Sequence, residues 1–372
     1  MKMTKRKILF VLKLPPPVHG STLMNQKVHD SQYLRESFTC RYVRVSLSKN
    51  LDEIGHKYFF KIIKLVSIWV ATLRELLFFR PHLVYFAISP VGAAFLKDFL
   101  LVSLIKLTRT PVVFHIHGKG MGIASQKNRV WKYIYNRTFK GEFVICLSGY
   151  LTGDIEAFYP GKPFILPNGI GESYMGITTP GTGNGEIPAV LYLSNLMRTK
   201  GLLDLIDALT ILHKKGIKFT ANIVGGPVDI SHEFLNDYIA QKAITKSVNV
   251  LGPLYGPEKQ RILANSDVLV FPTYYSKECF PIVILEAMQA GLPVLSTLEA
   301  AIPDMVENGV TGFLVRQNDA GELAGRLETL LIDRDLRKSM GAAGRKRYRE
   351  LFTLEKFETG LSNIIKTITG SP

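Results

Sequence analysis

A chain of 372 residues is too long for one ordinary hydrophobic core and fits two domains of about 150 to 200 residues each. With 47% hydrophobic and 21% charged residues the composition is that of a globular protein, which excludes a disordered or collagen-like chain. The net charge of +15 belongs to the first half, since residues 1–170 hold 25 Lys+Arg against 9 Asp+Glu and residues 171–372 hold 21 against 22. Such asymmetry implies an anionic partner for that half, with phospholipid, lipid pyrophosphate and nucleic acid as candidates beside the plainer reading of a soluble basic surface.

In chain order, the basic Met1–Lys7 followed by apolar Ile8–Leu12 has the outline of a signal peptide, but the apolar run stops at Lys13 and three prolines. It is too short for an h-region and has no small-residue cleavage site, so it reads as a first buried strand. Further strands are expected at Tyr42–Val45, Leu83–Ala87, Val112–Ile116, Phe143–Leu147 and Phe164–Leu166, with helix-forming segments between them. Near-continuous apolar strands alternating with helices imply a doubly wound parallel sheet covered on both faces. Tyr58–Phe79 is strongly apolar, but its longest uncharged run, Leu65–Leu73, is far below the ~18 residues of a spanning helix.

Turn chemistry at Pro167-Asn168-Gly169-Ile170 and a stretch rich in Gly, Thr and Pro from Thr178 to Pro188 mark a domain boundary. The alternation restarts with Val190–Leu193, a helix over Gly201–Lys214, and strands at Phe219–Val224, Val248–Leu251, Val268–Phe271 and Pro293–Ser296. After Gly312–Val315 the chain reads as helical at Ala320–Ile332, Leu336–Tyr348 and Leu354–Thr367. The expected division is 1–170 for the first domain, 171–352 for the second, and 353–372 for a helix packing back on the first. Two such domains in tandem would turn the carboxyl ends of their strands to a shared cleft. The three cysteines, Cys40, Cys146 and Cys279, are scattered and odd in number, which suggests neither disulfides nor a zinc site and points to the cytoplasm.

The strongest local signal is the pair Glu278 and Glu286, with seven residues between them. Glu278 falls in the loop after the strand ending near Phe271, and Pro281 suits the first turn of a helix continuing past Glu286. The free N–H groups at that helix start make an anion site. Glu286 reads either as a solvated surface residue or, given apolar neighbours from Ile282 to Met288, as a carboxylate whose partners are sugar hydroxyls; the run of neighbours favours the second.

Taken in order, Pro167-Asn168-Gly169-Ile170, Lys200-Gly201 after a strand, Val224-Gly225-Gly226-Pro227, Leu251-Gly252-Pro253, the paired glutamates and Ile302-Pro303-Asp304-Met305-Val306 resemble the retaining glycosyltransferase family four. The resemblance implies the GT-B fold, two Rossmann-like domains facing a cleft, with 1–170 as the acceptor-binding and 171–352 as the donor-binding domain. It also implies roles: Glu286 on the donor ribose, Glu278 on a hydroxyl of the transferred sugar, and the backbone of Cys279, Phe280, Pro281 and Ile282 on phosphates and sugar. Lys200 would neutralise the diphosphate, and Gly225 and the loop Gly252-Pro253-Leu254 would complete the donor site, the loop meeting the base edge. His117 would face the cleft from a strand end, and His19, Gly20 and Ser21 would lie on the acceptor side.

Two of these positions have plainer readings. His117 also fits a structural histidine, although a strand's carboxyl end before Gly118 favours function. His19, Gly20 and Ser21 also fit a simple strand-to-helix turn. Many relatives carry a diphosphate-binding arginine where this chain has Asn195; Arg198 either turns inward beside Lys200 or is a solvated loop residue. Asp333-Arg-Asp335 lies between helical segments and reads as a helix cap rather than a metal site.

The expected reaction is transfer of a hexose-type residue from a nucleoside diphosphate sugar to a hydroxyl, with retention and with neither metal nor cofactor. The alternatives are a sugar-nucleotide 2-epimerase of the same architecture and a catalytically silent subunit of a polysaccharide-assembly complex. The implied partners are the donor, an acceptor that can be lipid-linked, and an anionic membrane surface rather than nucleic acid. The implied place is the cytoplasmic face of the plasma membrane, in surface-polysaccharide or glycolipid assembly.

Overall fold

The computed structural model describes residues 5–16, 19–45, 58–172 and 187–370, with the backbone alone for 58–62. Pro17 and the turn-rich stretch from Thr178 to residue 186 lie outside the described residues. The chain forms two compact units, Met1–Asn168 with Glu355–Pro372, and Gly169–Leu354.

In the first unit six strands, β1 (Lys7–Leu12), β2 (Thr39–Arg44), β3 (Leu83–Ile88), β4 (Val112–Ile116), β5 (Phe143–Cys146) and β6 (Phe164–Ile165), pair in parallel in the order β2-β1-β3-β4-β5-β6. β1, β3 and β4 are almost wholly buried, as near-continuous apolar runs require in a sheet covered on both faces. β2 starts at Thr39, three residues before its apolar run. It is an edge strand with alternating exposure, so its first half carries no hydrophobic signal.

Helices α1 (Gly20–Asp30), α2 (Gln32–Ser37), α3 (Tyr58–Arg74), α4 (Gly92–Leu107), α5 (Met121–Lys127) and α6 (Arg129–Phe139) connect these strands. Leu9, Val11, Val84, Phe86 and Phe114 on one sheet face form a single core with Ile68 of α3, Phe95, Leu101 and Val102 of α4, and Tyr135 and Phe139 of α6.

The second unit repeats the plan. Its strands β7 (Ala189–Leu193), β8 (Thr220–Val224), β9 (Val248–Gly252), β10 (Val268–Phe271), β11 (Val294–Thr297) and β12 (Gly312–Val315) form a parallel sheet ordered β12-β11-β10-β7-β8-β9. Its helices are α7 (Leu202–Lys214), α8 (His232–Gln241), α9 (Gly256–Ala264), α10 (Ile282–Gln289), α11 (Ile302–Met305), α12 (Ala320–Ile332) and α13 (Arg334–Leu351). Asp333 caps α13, accepting a 2.8 Å hydrogen bond from Leu336 N. The last helix, α14 (Leu354–Thr369), buries Phe357, Leu361, Ile364 and Ile365, a helical-period stripe. Phe357 stacks on His115 with ring centroids 6.2 Å apart, so α14 covers the β4 region of the first unit.

Candidate functional site

Each sheet has one place where the chain reverses its direction of winding. In the second sheet this lies between β7, from which β8 and β9 run one way, and β10 on its other side. Ligands of open α/β sheets bind beyond the carboxyl ends of strands at such a switch point. The segments leaving β7 and β10 here carry Lys200 and Glu278.

Lys200 ends a short 3₁₀ turn, and Gly201 follows with φ of +73°. A Cβ at Gly201 would stand 2.1 Å from Pro272 O, so only glycine lets this turn pack against the end of β10. Tyr274 N donates to Thr199 O at 2.9 Å and joins the two loops. Lys200 Nζ then lies 2.5 Å from Glu278 Oε2, over the Tyr275 ring at 4.7 Å and near the Phe271 ring at 5.4 Å. Glu278 is buried, and Lys200 gives it the partner a buried carboxylate requires.

α10 begins one residue later than its proline suggests: Pro281 is the N-cap, with ψ of 109°, and Ile282 opens the helix. Proline's restricted φ suits both positions, so its ring does not separate them in sequence. No side chain caps this end. Cys279 and Phe280 bury their side chains, with Phe280 edge-on to Phe352 at 6.0 Å, which leaves the main chain of this loop as its polar surface. Glu286, five residues into α10, is partly buried, and Lys259 Nζ of α9 lies 2.5 Å from its Oε1. Lys259 was not among the sequence candidates, because nothing local links α9 to the glutamate 27 residues on.

Asn195, Gly225 and Gly252 follow β7, follow β8 and end β9. Gly225 N donates to Gly252 O at 2.9 Å, and a Cβ at Gly225 would stand 1.7 Å from Ser194 O, so glycine is required for these strand ends to meet. Pro253 and Leu254 continue from Gly252, with Pro253 exposed. Arg198 is not brought to Lys200: its backbone N–H donates to Asp229 at 3.0 Å and its guanidinium lies over the Phe234 ring at 5.0 Å.

The first sheet's switch point lies between β1 and β3, and a cavity of about 470 Å³ opens there, lined by Lys13, His19, Asn25, Ser89, Lys97 and His117 among others. At its base Lys13 Nζ lies 2.6 Å from Asp98 Oδ2 and 2.5 Å from Ser89 Oγ. Burial pushes the Lys13 pKa down, opposed by the Asp98 charge. Lys13, Asp98 and Asn25 were not sequence candidates. The available signal was Asp98 as the lone acid in the apolar α4 sequence.

His117 follows β4 and lines this cavity, yet both its ring nitrogens are shielded from solvent and without a hydrogen-bond partner. Burial first, then the nearby Lys13 charge, lowers its pKa to about 3, so it is neutral at ordinary pH. His115, on the same strand face, is fully buried, lies tilted against His117 with centroids 4.0 Å apart and meets the Tyr85 hydroxyl at 2.5 Å. His19 is the N-cap of α1 in a reciprocal arrangement with Thr22, and Ser21 Oγ lies 3.1 Å from its ring. Gly20 has open space where a Cβ would be. Among the described residues no cluster of three His, Cys, Asp or Glu side chains could hold a metal ion.

Residues 182–347, which contain Lys200, Glu278 and Glu286, match the profile described as glycosyl transferases group 1. This match covers a little under half of the chain and lies within the second unit. A putative colanic acid biosynthesis glycosyltransferase of Salmonella typhimurium is 29% identical over 63% of this chain and 59% of its own length. A capsular polysaccharide biosynthesis glycosyltransferase of Staphylococcus aureus is 29% identical over 47% of this chain and 45% of its own. The match thus spans roughly half the length of these curated relatives.

Solved structures match nearly the whole length. A glycosyltransferase from Rickettsia africae superposes with a TM-score of 0.75 at 18% identity, covering 98% of each chain. Anabaena HepE, solved in complex with UDP-glucose, gives 0.70 at 20% identity over 97% of this chain and 99% of its own. The two six-stranded parallel sheets of this chain are the GT-B fold.

Proposed function

We propose that this protein transfers a hexose-type sugar from a nucleoside diphosphate sugar to an acceptor hydroxyl, with retention and without a metal ion, in surface-polysaccharide or glycolipid assembly. The observation that carries the reading is the Lys200–Glu278 pair at 2.5 Å, set at the switch point of the second sheet inside the group 1 match. Lys200 places a cation where a diphosphate leaving group gathers charge, and the uncapped start of α10 adds N–H groups for the same anion. Glu278 accepts from a hydroxyl of the transferred sugar, and Glu286, held by Lys259 through one oxygen, offers the other to the ribose. Asn195, Gly225 and the Gly252-Pro253-Leu254 turn border the nucleotide, and the main chain from Cys279 to Ile282 meets phosphate and sugar. Arg198 leaves the Phe234 ring to join Lys200 on the diphosphate. The acceptor occupies the side of His19, Gly20 and Ser21, with neutral His117 hydrogen-bonded to a sugar hydroxyl. The relatives named for colanic acid and capsular polysaccharide and the neighbour solved with UDP-glucose support the substrate class. The basic first half supports a cytoplasmic protein docked on an anionic membrane surface, where a lipid-linked acceptor would be met.

The test is thermal stabilisation by a panel of nucleotides and sugar nucleotides, followed by donor hydrolysis or transfer with the selected donor. A selective nucleoside diphosphate sugar should raise the melting temperature, and Glu278→Ala should abolish turnover. Release of free nucleotide with an epimerised sugar and no acceptor requirement would overturn transfer. Absence of all turnover, unchanged by Glu278→Ala, would overturn catalysis.

A further inference from the structure

Helices α3, α4 and α6 form one layer on one face of the first sheet, since Ile68, Phe95, Leu101, Tyr135 and Phe139 all point into the same core. α3 touches α4 and α4 touches α6, so their opposite faces make a single surface directed away from the sheet. Ordinarily such a face is polar. Here it carries Val66 and Val70 of α3, Phe78 of the π-helical turn Glu75–Phe79 that follows, Leu100 and Leu107 of α4, and Tyr133 of α6, all exposed. Phe78 is 82% and Leu107 81% exposed. Single exposed apolar residues need no explanation, but a row on adjacent helices does.

The charges around this row have one sign. The sequences of α3, α4 and α6 contain a single carboxylate, Asp98, and it is buried beside Lys13 on the inner side. Glu75 in the following turn is engaged by Arg41 at 3.2 Å. Arg74, Lys132, Arg137 and Lys140 are exposed along the same layer and just beyond α6. No helix among the described residues is long and apolar enough to cross a membrane. Aliphatic and aromatic side chains rimmed by cations and a tyrosine, with the nearby acid, Glu75, engaged by Arg41, match the boundary between anionic headgroups and acyl chains.

We propose that the outer face of α3, the π-helical turn, α4 and α6 is the surface by which the protein lies on an anionic lipid leaflet. This rests on the membrane-docking part of the proposed function and adds which side chains enter the lipid. Phe78, Leu107 and Val70 insert into the acyl boundary while Lys132, Arg137 and Lys140 meet headgroup phosphates.

The test is co-sedimentation of the full chain with phosphatidylcholine vesicles, with and without phosphatidylglycerol. The wild type should bind the anionic vesicles better, and less so as salt rises. The triple variant Val70→Asp, Phe78→Asp, Leu107→Asp should bind at least about tenfold more weakly, because three apolar side chains then stay in water. Lys132→Gln, Arg137→Gln, Lys140→Gln should lose the preference for anionic lipid. Ile332→Asp, an exposed position in the second unit, should bind like the wild type, and unchanged melting temperatures would show that all variants fold. A wild type indifferent to anionic lipid would overturn membrane docking itself. A triple variant that binds like the wild type, when the wild type does bind, would overturn only this choice of face. A wild-type dimer that the triple variant turns into monomers would assign the face to a second copy and overturn the proposal.

Discussion

Glu286 meets Lys259 through one carboxylate oxygen, and Glu278 meets Lys200 in the same way. Each glutamate therefore has a cationic partner on one oxygen and a second oxygen for a hydroxyl. Glu286→Gln retains the shape and loses the charge, so nucleoside diphosphate affinity should fall by about 1.5 to 3 kcal/mol by calorimetry, as for a charge-assisted bond. Lys259→Met should weaken binding in the same direction by about 1 kcal/mol, since it disturbs only the orientation of the carboxylate. Unchanged affinity in Glu286→Gln would remove the ribose role. Arg198 is a different case, because it is engaged elsewhere, over Phe234. If it moves to the diphosphate as leaving-group charge grows, Arg198→Ala should lower turnover on the order of a hundredfold while donor binding changes little. Near-normal turnover in that variant, beside a crippled Lys200→Ala, would leave Arg198 as a stacked loop residue.

The Lys13–Asp98 pair ties α4 to the end of β1, and Ser89 N, just after β3, donates to the same carboxylate at 2.8 Å. Asp98→Ala should cost about 3 kcal/mol in urea unfolding, because it strands a mostly buried ammonium. Lys13→Met combined with Asp98→Leu should recover much of the loss, since no unpaired charge then remains. The end of β4 predicts a pH effect. His115 and His117 are neutral in the fold, with pKa values pushed below the ordinary 6.5, His117 to about 3. The unfolded chain takes up protons first as pH falls through 6.5, so stability is full above 6.5 and declines progressively down to about 3. Urea midpoints at pH 7 and pH 5 should show this drop, and His117→Asn should show a smaller one. An equal drop in both would mean that His117 is not held neutral.

At the level of the whole chain, α14 is remote in sequence from the sheet it covers. Phe357 stacks on His115, and a Cβ at Gly360 would stand 2.6 Å from Leu166 Cδ1. A chain ending after Thr353 should therefore melt its first unit at lower temperature while the second is unchanged. Four buried apolar side chains leave the core, at about 1.5 to 3 kcal/mol each when fully buried. Scanning calorimetry would read this as a separate early transition, and a single unshifted transition would contradict it.

The two parallel sheets were legible in the chain because fully buried strands need unbroken apolar runs, as in Val112–Ile116 and Val268–Phe271, and so were the helix after Gly201, the one after Pro281 and the three C-terminal helices. Edge strand β2 was read short, since half of it faces outward and carries no such run. Glu278 and Glu286 stood out because their spacing and surroundings are local, and Lys200 stood out only through the family resemblance. The ion pairs themselves were not legible: Lys259 lies 27 residues from Glu286, Lys200 78 from Glu278, and Lys13 85 from Asp98. Periodicity and turn chemistry act over a few neighbouring residues and are written in their order. Ion pairs, stacked rings and the outward face of a helix layer depend on which strands become neighbours, and only the folded chain settles those.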